Sequence, residues 1–147
     1  MINDHFKIKG SLQAVLIKKD GTVIARRKDN IILNAGFDFI CNAIAGTTRP
    51  DIMKYTAVGT GTTAATVTQT ALVTELTRKA ATYKHTAGTK VFTLESTFNA
   101  GEATGAITEA GICNAATEGI FIDRVNFDVI NKGADDTMTT TFQFTLS

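Results

Sequence analysis

Alternation of apolar and polar residues dominates the chain and predicts a protein built mainly of β-strands. Two alternating segments between Phe6 and Lys28 flank Asp20-Gly21, and glycine tolerates the positive φ that a type I′ hairpin turn demands. Further alternating segments, separated by Gly, Asn or Asp clusters, predict strands at residues 53–58, 76–83, 90–98, 105–113, 120–129 and 137–146. Short strands at nearly regular spacing favour an antiparallel β-sandwich of jelly-roll or immunoglobulin-like type.

The segment 137–146 shows the alternation most clearly. One set of alternate positions is polar and holds Thr137, Thr139, Thr141, Gln143 and Thr145. The other set is largely apolar and holds Met138, Thr140, Phe142, Phe144 and Leu146. Because successive side chains of a strand point to opposite faces, we expect one solvated face and one buried face here.

A short helix is the exception to the β pattern. Apolar residues recur at spacings of three and four from Phe37 to Ile44, which is the spacing of one helix face. Asn34 stands where its side-chain oxygen can accept a hydrogen bond from a free backbone N–H, and Gly46 follows as a stop. The sequence therefore predicts one helix near residues 34–45.

Residues 59–70 are rich in Gly, Thr and Ala and predict a surface loop in which only Val67 is a candidate core residue. The glycines at the start of this segment invite comparison with a phosphate-binding loop. Such a loop ends in Gly-Lys-Ser/Thr and opens a helix, whereas here Ala64-Ala65 follow and there is no lysine. A tight turn with close backbone approach is therefore the preferred interpretation.

Composition favours a single folded domain over residues 1–147, with residues 1–5 as an extended N-terminal arm. The hydrophobic fraction of 44% and the charged fraction of 20% are ordinary for a folded chain and unlike those of disordered ones. No apolar run has the length of a secretory signal or a membrane span. We expect a protein made in a cytosol and without a membrane partner.

The charge balance argues against nucleic acid as the main partner, because a formal net charge of +1 provides no strong attraction for a polyanion. A local basic group comprises Lys18, Lys19, Arg26, Arg27 and Lys28. It is interpreted as the solvent face of the first hairpin, where basic side chains keep a strand edge soluble. Contact with nucleic acid or an acidic protein is the alternative.

The two cysteines, Cys41 and Cys113, lie in apolar stretches without the paired spacing of a zinc site. Buried free thiols are the preferred interpretation, and a disulfide between them is the alternative.

No catalytic, metal or cofactor site is predicted, and we do not expect an enzyme. Both histidines, His5 and His85, lack a metal-ligand spacing, and a Cys–His nucleophile pair would need an apolar cysteine beside a loop histidine. An enzyme that uses His85 remains the third interpretation.

Two acid–base pairs are predicted to be structural. Glu75 stands three residues before Arg78, and Glu109 lies opposite Arg124 if their segments pair as a hairpin. Each pair is expected to be a semi-buried ion pair that sets strand register.

Several motifs occur in a recognisable order along residues 30–147. They are AVGTGTT at 57–63, TALVTELTR at 70–78, ITEAGIC at 107–113 and FIDRVNF at 121–127. This order resembles a family of small tailed-phage structural proteins, which carry a GTG turn, a T-x-L-x-x-E-x-x-R segment, an E-A-G strand and an R-x-x-F strand before a threonine-rich final strand. Two positions depart from that pattern, Cys113 by its small size and Asp123 by its charge.

The resemblance implies a non-enzymatic virion component that assembles in the host cytoplasm and binds other particle subunits. We expect a capsid decoration protein that contacts the major capsid protein and forms a homo-oligomer. A neck, baseplate or tail-fibre attachment protein is an alternative. The residues expected to contact partners, chosen because their segments lack core-forming residues, are Ile2, Asn3, His5, Thr60, Thr62 and Thr63.

A receptor- or carbohydrate-binding module on a fibre is the second function considered. Sugar sites usually offer an exposed aromatic platform, and this chain has no Trp and only Tyr55 and Tyr83 as tyrosines. Composition therefore favours the decoration role.

Overall fold

Two five-stranded antiparallel sheets and one helix are formed by residues 6–147, the part of the chain that this computed structural model describes. In chain order the elements are β1 (Ile8–Ile17), β2 (Val23–Asp29), β3 (Ile31–Ile32), α1 (Asn34–Ala45), β4 (Tyr55–Gly59), β5 (Glu75–Ala80), β6 (Thr82–His85), β7 (Val91–Phe98), β8 (Gly105–Cys113), β9 (Asp123–Lys132) and β10 (Thr137–Leu146). The first sheet has the order β2-β1-β10-β7-β6 and the second has the order β3-β9-β8-β4-β5. The predicted mainly-β antiparallel sandwich with one short helix is confirmed.

The main core lies between the two sheets. The first sheet contributes Leu12 and Leu16 from β1 and Phe142 from β10, all at most 1% exposed. Ile107 and Ile130 of the second sheet belong to the same cluster and are fully buried. Burial of each such side chain contributes about 1.5–3 kcal/mol to stability, so this cluster is the main reason that the sheets stay together.

The last strand has the two faces that its sequence predicts. Met138, Phe142 and Phe144 are fully buried, and Gln143 is exposed. Thr140 is also buried, and its hydroxyl donates to the carbonyl of Ser96 in the neighbouring strand at 3.4 Å. Threonine is tolerated at this position of the buried face because its hydroxyl has a partner.

The first hairpin is present, but its turn differs from the type I′ expectation. Residues 18–22 connect the strands, the Gly21 N–H donates to the Lys18 carbonyl at 2.9 Å, and only Gly21 has a positive φ, of 89°. A type I′ turn needs positive φ at both central residues. Asp20 instead accepts a hydrogen bond from the Thr22 N–H at 2.9 Å, which stabilises a longer turn closed by glycine.

The segment 76–83, predicted as one strand, is divided between the two sheets. β5 pairs with β4 in the second sheet, whereas β6 pairs with β7 in the first. Between them the Ala81 N–H donates to the Lys54 carbonyl at 2.8 Å. Alternation along a sequence cannot show that a strand changes its pairing partner halfway, because each half has a normal strand pattern.

The penultimate strand begins later than predicted, at Asp123 instead of residue 120. Asn114 closes the loop before it, because its side-chain oxygen accepts from the Ile120 N–H at 2.8 Å and its own N–H donates to the Ile120 carbonyl at 3.1 Å. Within this stretch Phe121 makes only an isolated bridge to Cys113.

The helix has the predicted bounds, but Asn34 does not cap it. The N-cap residue is Leu33 without a side-chain cap bond, and the Asn34 N–H donates to the carbonyl of Val67 at 2.9 Å. A backbone carbonyl of a distant loop thus accepts the hydrogen bond of an N–H group at the start of the helix. The predicted apolar face is largely uncovered, because Phe37 is 46% exposed and Ile44 is 69% exposed.

Cys113 is buried and Cys41 is exposed on α1, and both are free thiols. The expectation of a buried thiol is therefore wrong for Cys41, because Gly36 is the buried residue of α1 and its other residues are partly or fully exposed. Burial raises the pKa of the Cys113 thiol to about 11.

The basic group of the first hairpin has a partly structural role. Arg26 donates to the Val129 carbonyl at 3.3 Å, and Lys28 donates to the Asn126 carbonyl at 2.5 Å. Both acceptors lie on β9, so these side chains connect an edge of the first sheet with the second sheet.

Candidate interaction site

Residues 60–74, named here the threonine loop, connect β4 and β5 and cover the outer face of the second sheet. Neighbouring residues of a strand point to opposite faces. Val58 and Ala110 belong to the main core between the sheets, so Ala57 and Glu109 beside them face outward. These outward positions are where the loop is attached.

Glu109 is the centre of this attachment, and its side chain is fully buried. Its carboxylate accepts backbone N–H groups from Gly61 at 2.7 Å, Val73 at 2.8 Å and Thr74 at 2.8 Å. Arg124 adds an Nε–Oε1 contact of 3.0 Å. One side chain therefore binds both ends of the loop.

Glu109 remains a carboxylate in spite of its burial. Burial by itself raises the pKa of Glu109, but the backbone N–H groups and the Arg124 guanidinium together hold that pKa below the ordinary value for glutamate. A charged acceptor forms stronger hydrogen bonds than a neutral one, so the loop ends are firmly held.

The two glycines of the GTG turn allow this close approach. A Cβ atom at Gly61 would collide with the Glu109 carboxylate, and one at Gly59 would collide with the Thr74 carbonyl. The Gly61 carbonyl also accepts a hydrogen bond from the Thr108 hydroxyl, at 2.8 Å. Glycine is required here for space, as the tight-turn interpretation of this segment expects.

Arg124 extends the attachment to the middle of the loop. Its Nη1 donates to the side-chain oxygen of Gln69 at 3.2 Å, and Gln69 in turn donates to the Ala64 carbonyl at 3.2 Å. The Nη2 of Arg124 is buried and has no hydrogen-bond partner within residues 6–147. Most of the guanidinium is therefore committed to holding the loop.

A small apolar cluster anchors the C-terminal part of the loop. Leu72 is 8% exposed and packs with Leu33, Ala57, Cys113 and Phe121. Leu72 is thus the core residue of the threonine loop. Val67, the only candidate that the sequence offers within 59–70, is 46% exposed.

The outward surface of the loop is uncharged and rich in hydroxyl groups. No residue between 60 and 74 carries a charge, and most of its threonines are exposed. Of the predicted contact residues, Thr62 and Thr63 are exposed and Thr60 is half-buried. Ile2, Asn3 and His5 lie outside the described residues.

The predicted pair Glu75 and Arg78 fastens the next strand. Arg78 Nε lies 2.6 Å from Glu75 Oε2, and its Nη1 donates to the carbonyls of Ala115 and Glu118 at 2.7 and 2.8 Å. Its guanidinium also lies 5.2 Å from the ring centroid of Phe121. Both predicted acid–base pairs are thus in contact, and each also holds a loop. The expectation that Arg124 lies opposite Glu109 is wrong, because the strand register pairs Glu109 with Asn126 and Arg124 reaches Glu109 diagonally. The Glu109–Arg124 pair is also fully buried, not semi-buried.

A second buried carboxyl group, Asp123, was not singled out as a site residue by sequence reasoning. It accepts the Ile112 N–H at 2.8 Å and contacts the side-chain amide of Asn30. Burial raises the pKa of Asp123 to about 7, and these two hydrogen bonds offset the effect only in part. The only sequence signal is an acidic residue directly after the apolar residues Phe121 and Ile122, in a segment that also holds Arg124.

The residues considered for catalysis and sugar binding do not converge in the described structure. His85 is exposed, and its Nδ1 lies 2.6 Å from the Val91 carbonyl. Tyr55 lies in the second sheet and Tyr83 lies in the first. No group of three or more His, Cys, Asp or Glu side chains within residues 6–147 is arranged to hold a metal ion.

Comparison with protein-family models, with curated proteins and with solved structures finds no match to this chain. Along residues 6–147 there is no helix with the length and apolar character needed to cross a membrane.

Proposed function

We propose that this chain is a structural subunit of a tailed-phage particle, a capsid decoration protein that binds the major capsid protein through the threonine loop. The observation that carries the proposal is a convergence of motif residues. The GTG turn supplies Gly61, the E-A-G strand supplies Glu109 and the R-x-x-F strand supplies Arg124, and these three residues meet at one attachment point. The motifs behind the phage resemblance therefore serve to present one loop.

The way in which the loop is held supports a binding role. A loop that is already ordered by buried hydrogen bonds loses little conformational entropy when a partner covers it. Its uncharged surface offers hydroxyl groups and methyl groups, which suit a contact based on shape complementarity. A rigid scaffold that presents an exposed loop is also a common arrangement for binding surfaces.

Binding of this kind stabilises a shell by mass action. A subunit that binds the assembled capsid more tightly than free capsid protein shifts the equilibrium towards the assembled form. A homo-oligomer would present several loops to the symmetric surface of the shell. Neck, baseplate or fibre attachment would use the same surface at another place in the particle.

Copy number in purified particles tests the position of the subunit. Quantitative mass spectrometry against the major capsid protein should give a copy number comparable with that of the shell subunit. A far smaller number would move the protein to the neck, baseplate or fibres. Its absence from the particle would contradict the virion proposal.

Charge introduced into the loop tests the contact surface. The double variant Thr62→Lys/Thr63→Lys should bind particles that lack the subunit at least about ten-fold more weakly, because two desolvated charges cost more than about 1.4 kcal/mol. Thr22→Lys, in the exposed turn of the first hairpin, is the matched control and should bind like the unaltered protein. Equal binding by all three proteins would show that the loop is not the contact surface.

A further inference from the structure

A small crevice is bordered by the threonine loop and by the end of β2. Its lining includes Ala64 and Ala65 of the loop, Lys28 and Asp29 of β2, and Arg124 of β9. The crevice has a volume of about 190 Å³, whereas sites for small organic molecules usually measure roughly 300–1,000 Å³. Its size therefore suits a single side chain or a small ion.

Arg124 brings to the crevice a hydrogen-bond donor that the described part of the chain does not use. The residue is fully buried, and its Nε and Nη1 donate to Glu109 at 3.0 Å and to Gln69 at 3.2 Å. Its Nη2 is buried too, but among residues 6–147 no group accepts a hydrogen bond from it. A buried polar group without a partner is costly, so an acceptor that reaches Nη2 is favoured.

Lys28 adds a positive charge to the crevice that no neighbouring carboxylate balances. Its Nζ donates to a backbone carbonyl of β9 at 2.5 Å, and among the residues that the structure describes it forms no salt bridge. The other charges of the lining are paired, Arg124 with Glu109 at 3.0 Å and Asp29 with Arg27 at 3.5 Å. The crevice therefore has one excess positive charge, which favours an anion.

We propose that this crevice binds one carboxylate group, supplied by an acidic side chain of the partner that covers the threonine loop. A carboxylate has two acceptor oxygens for the two donors that line the crevice, the Nη2 of Arg124 and the Nζ of Lys28. Hydrogen bonds from guanidinium and ammonium groups are strongest when the acceptor is also charged. The site itself stands on the residues of the crevice, whereas the identity of the partner rests on the proposed function.

The position of the crevice favours a side chain of the partner over a free anion. Ala64, which lines the crevice, directly follows Thr62 and Thr63 in the chain, and all three residues are exposed. A partner that covers the two threonines therefore also lies beside the crevice. A single acidic side chain matches both the small volume and the one excess charge.

NMR titration of the full chain with sodium acetate, against sodium chloride at equal ionic strength, tests the site. The backbone amides of Ala64 and Ala65 and the Nε–H of Arg124 should shift and reach saturation. Lys28→Gln should bind acetate at least about five-fold more weakly. The matched control Lys19→Gln removes an exposed lysine of the same hairpin that does not line the crevice, and it should bind acetate like the unaltered protein. Shifts that do not saturate, or that are equal in Lys28→Gln, would overturn the site.

Binding of the same three proteins to particles that lack the subunit tests the source of the carboxylate. Lys28→Gln should bind the particles at least about five-fold more weakly, and Lys19→Gln should bind them like the unaltered protein. If all three bind particles equally, no side chain of the partner enters the crevice. If the unaltered protein binds acetate but not particles, the proposed function and the partner are wrong, and the carboxylate site remains.

Discussion

Two buried carboxyl groups, Glu109 and Asp123, show how the surroundings of a residue decide its charge. Glu109 accepts three backbone N–H groups and the Nε of Arg124, and its pKa is lowered in spite of burial. Asp123 has one backbone N–H and a neutral amide as partners, and burial raises its pKa to about 7. The number and charge of the donors therefore decide whether the pKa of a buried carboxyl group falls below or rises above its ordinary value.

Asp123 predicts a specific dependence of stability on pH. Between pH 3.8 and about 7 the folded state retains a proton at this residue that the unfolded state releases. The contribution of Asp123 therefore makes the free energy of unfolding fall as pH rises through that window. Above about pH 7 this contribution is constant. In the variant Asp123→Asn this fall should be absent, because the amide does not titrate.

Urea denaturation of both proteins at intervals from about pH 4 to about pH 8 checks this prediction. The stability of Asp123→Asn relative to the unaltered protein should increase across the window. Contributions from Glu109 and the other carboxylates with lowered pKa are the same in both proteins and cancel in the difference. Parallel stability curves would mean that Asp123 titrates normally.

At the scale of elements, the threonine loop behaves as an attached part of the second sheet. It has no strand or helix of its own between residues 60 and 74, yet its ends are bound by Glu109 and its middle by Arg124 through Gln69. Long loops without regular structure are uncommon in compact domains and are usually functional. The buried ion pair is the reason that this one is ordered.

The substitution Glu109→Gln should release the loop. The neutral amide removes the negative charge and leaves Arg124 as a buried charge without its partner, which should cost about 3–5 kcal/mol of unfolding free energy. Hydrogen exchange of the Gly61, Val73 and Thr74 amides should become faster. Glu118→Gln, at an exposed position, is the control and should change stability by less than about 0.5 kcal/mol. Unchanged amide protection in the Glu109→Gln variant would contradict the role of this carboxylate.

At the scale of the whole molecule, the pairing of β1 with β10 brings together the two ends of the described chain. The pairs run from Ile8–Leu146 to Ile17–Thr137, in the middle of the first sheet. Such contacts are as distant in sequence as this fold allows, so the first sheet is complete only when the last strand has docked. Stability should accordingly depend strongly on the buried face of β10.

Two adjacent substitutions in β10 test this dependence. Phe142→Ala removes a fully buried ring from the main core and should lower the free energy of unfolding by about 3–5 kcal/mol. Gln143→Ala, on the exposed face next to it, should change it by less than about 0.5 kcal/mol. Urea denaturation measures both, and similar effects at the two positions would mean that β10 does not pack as described.

Local periodicity was sufficient to predict the class of fold and the positions of most strands. The bounds of β8 and β10 and of α1 follow from residues that are neighbours in sequence, because alternation and helical spacing depend only on positions a few residues apart. The contact between Glu109 and Arg124 could also be predicted from the sequence, since the two residues lie on neighbouring strands of one hairpin. These features were determined by the sequence itself.

Contacts between distant segments were decided only by the tertiary structure. Gly61 and Glu109 are 48 positions apart, and Asn30 and Asp123 are 93 positions apart, with no local pattern that connects them. Local patterns likewise do not show that residues 76–83 are divided between two sheets. They also do not show that an apolar groove lies between α1 and the first sheet. Periodicity states which face of a segment is apolar, but the packing of the whole chain decides which other segment covers that face, because burial is a property of the assembled core.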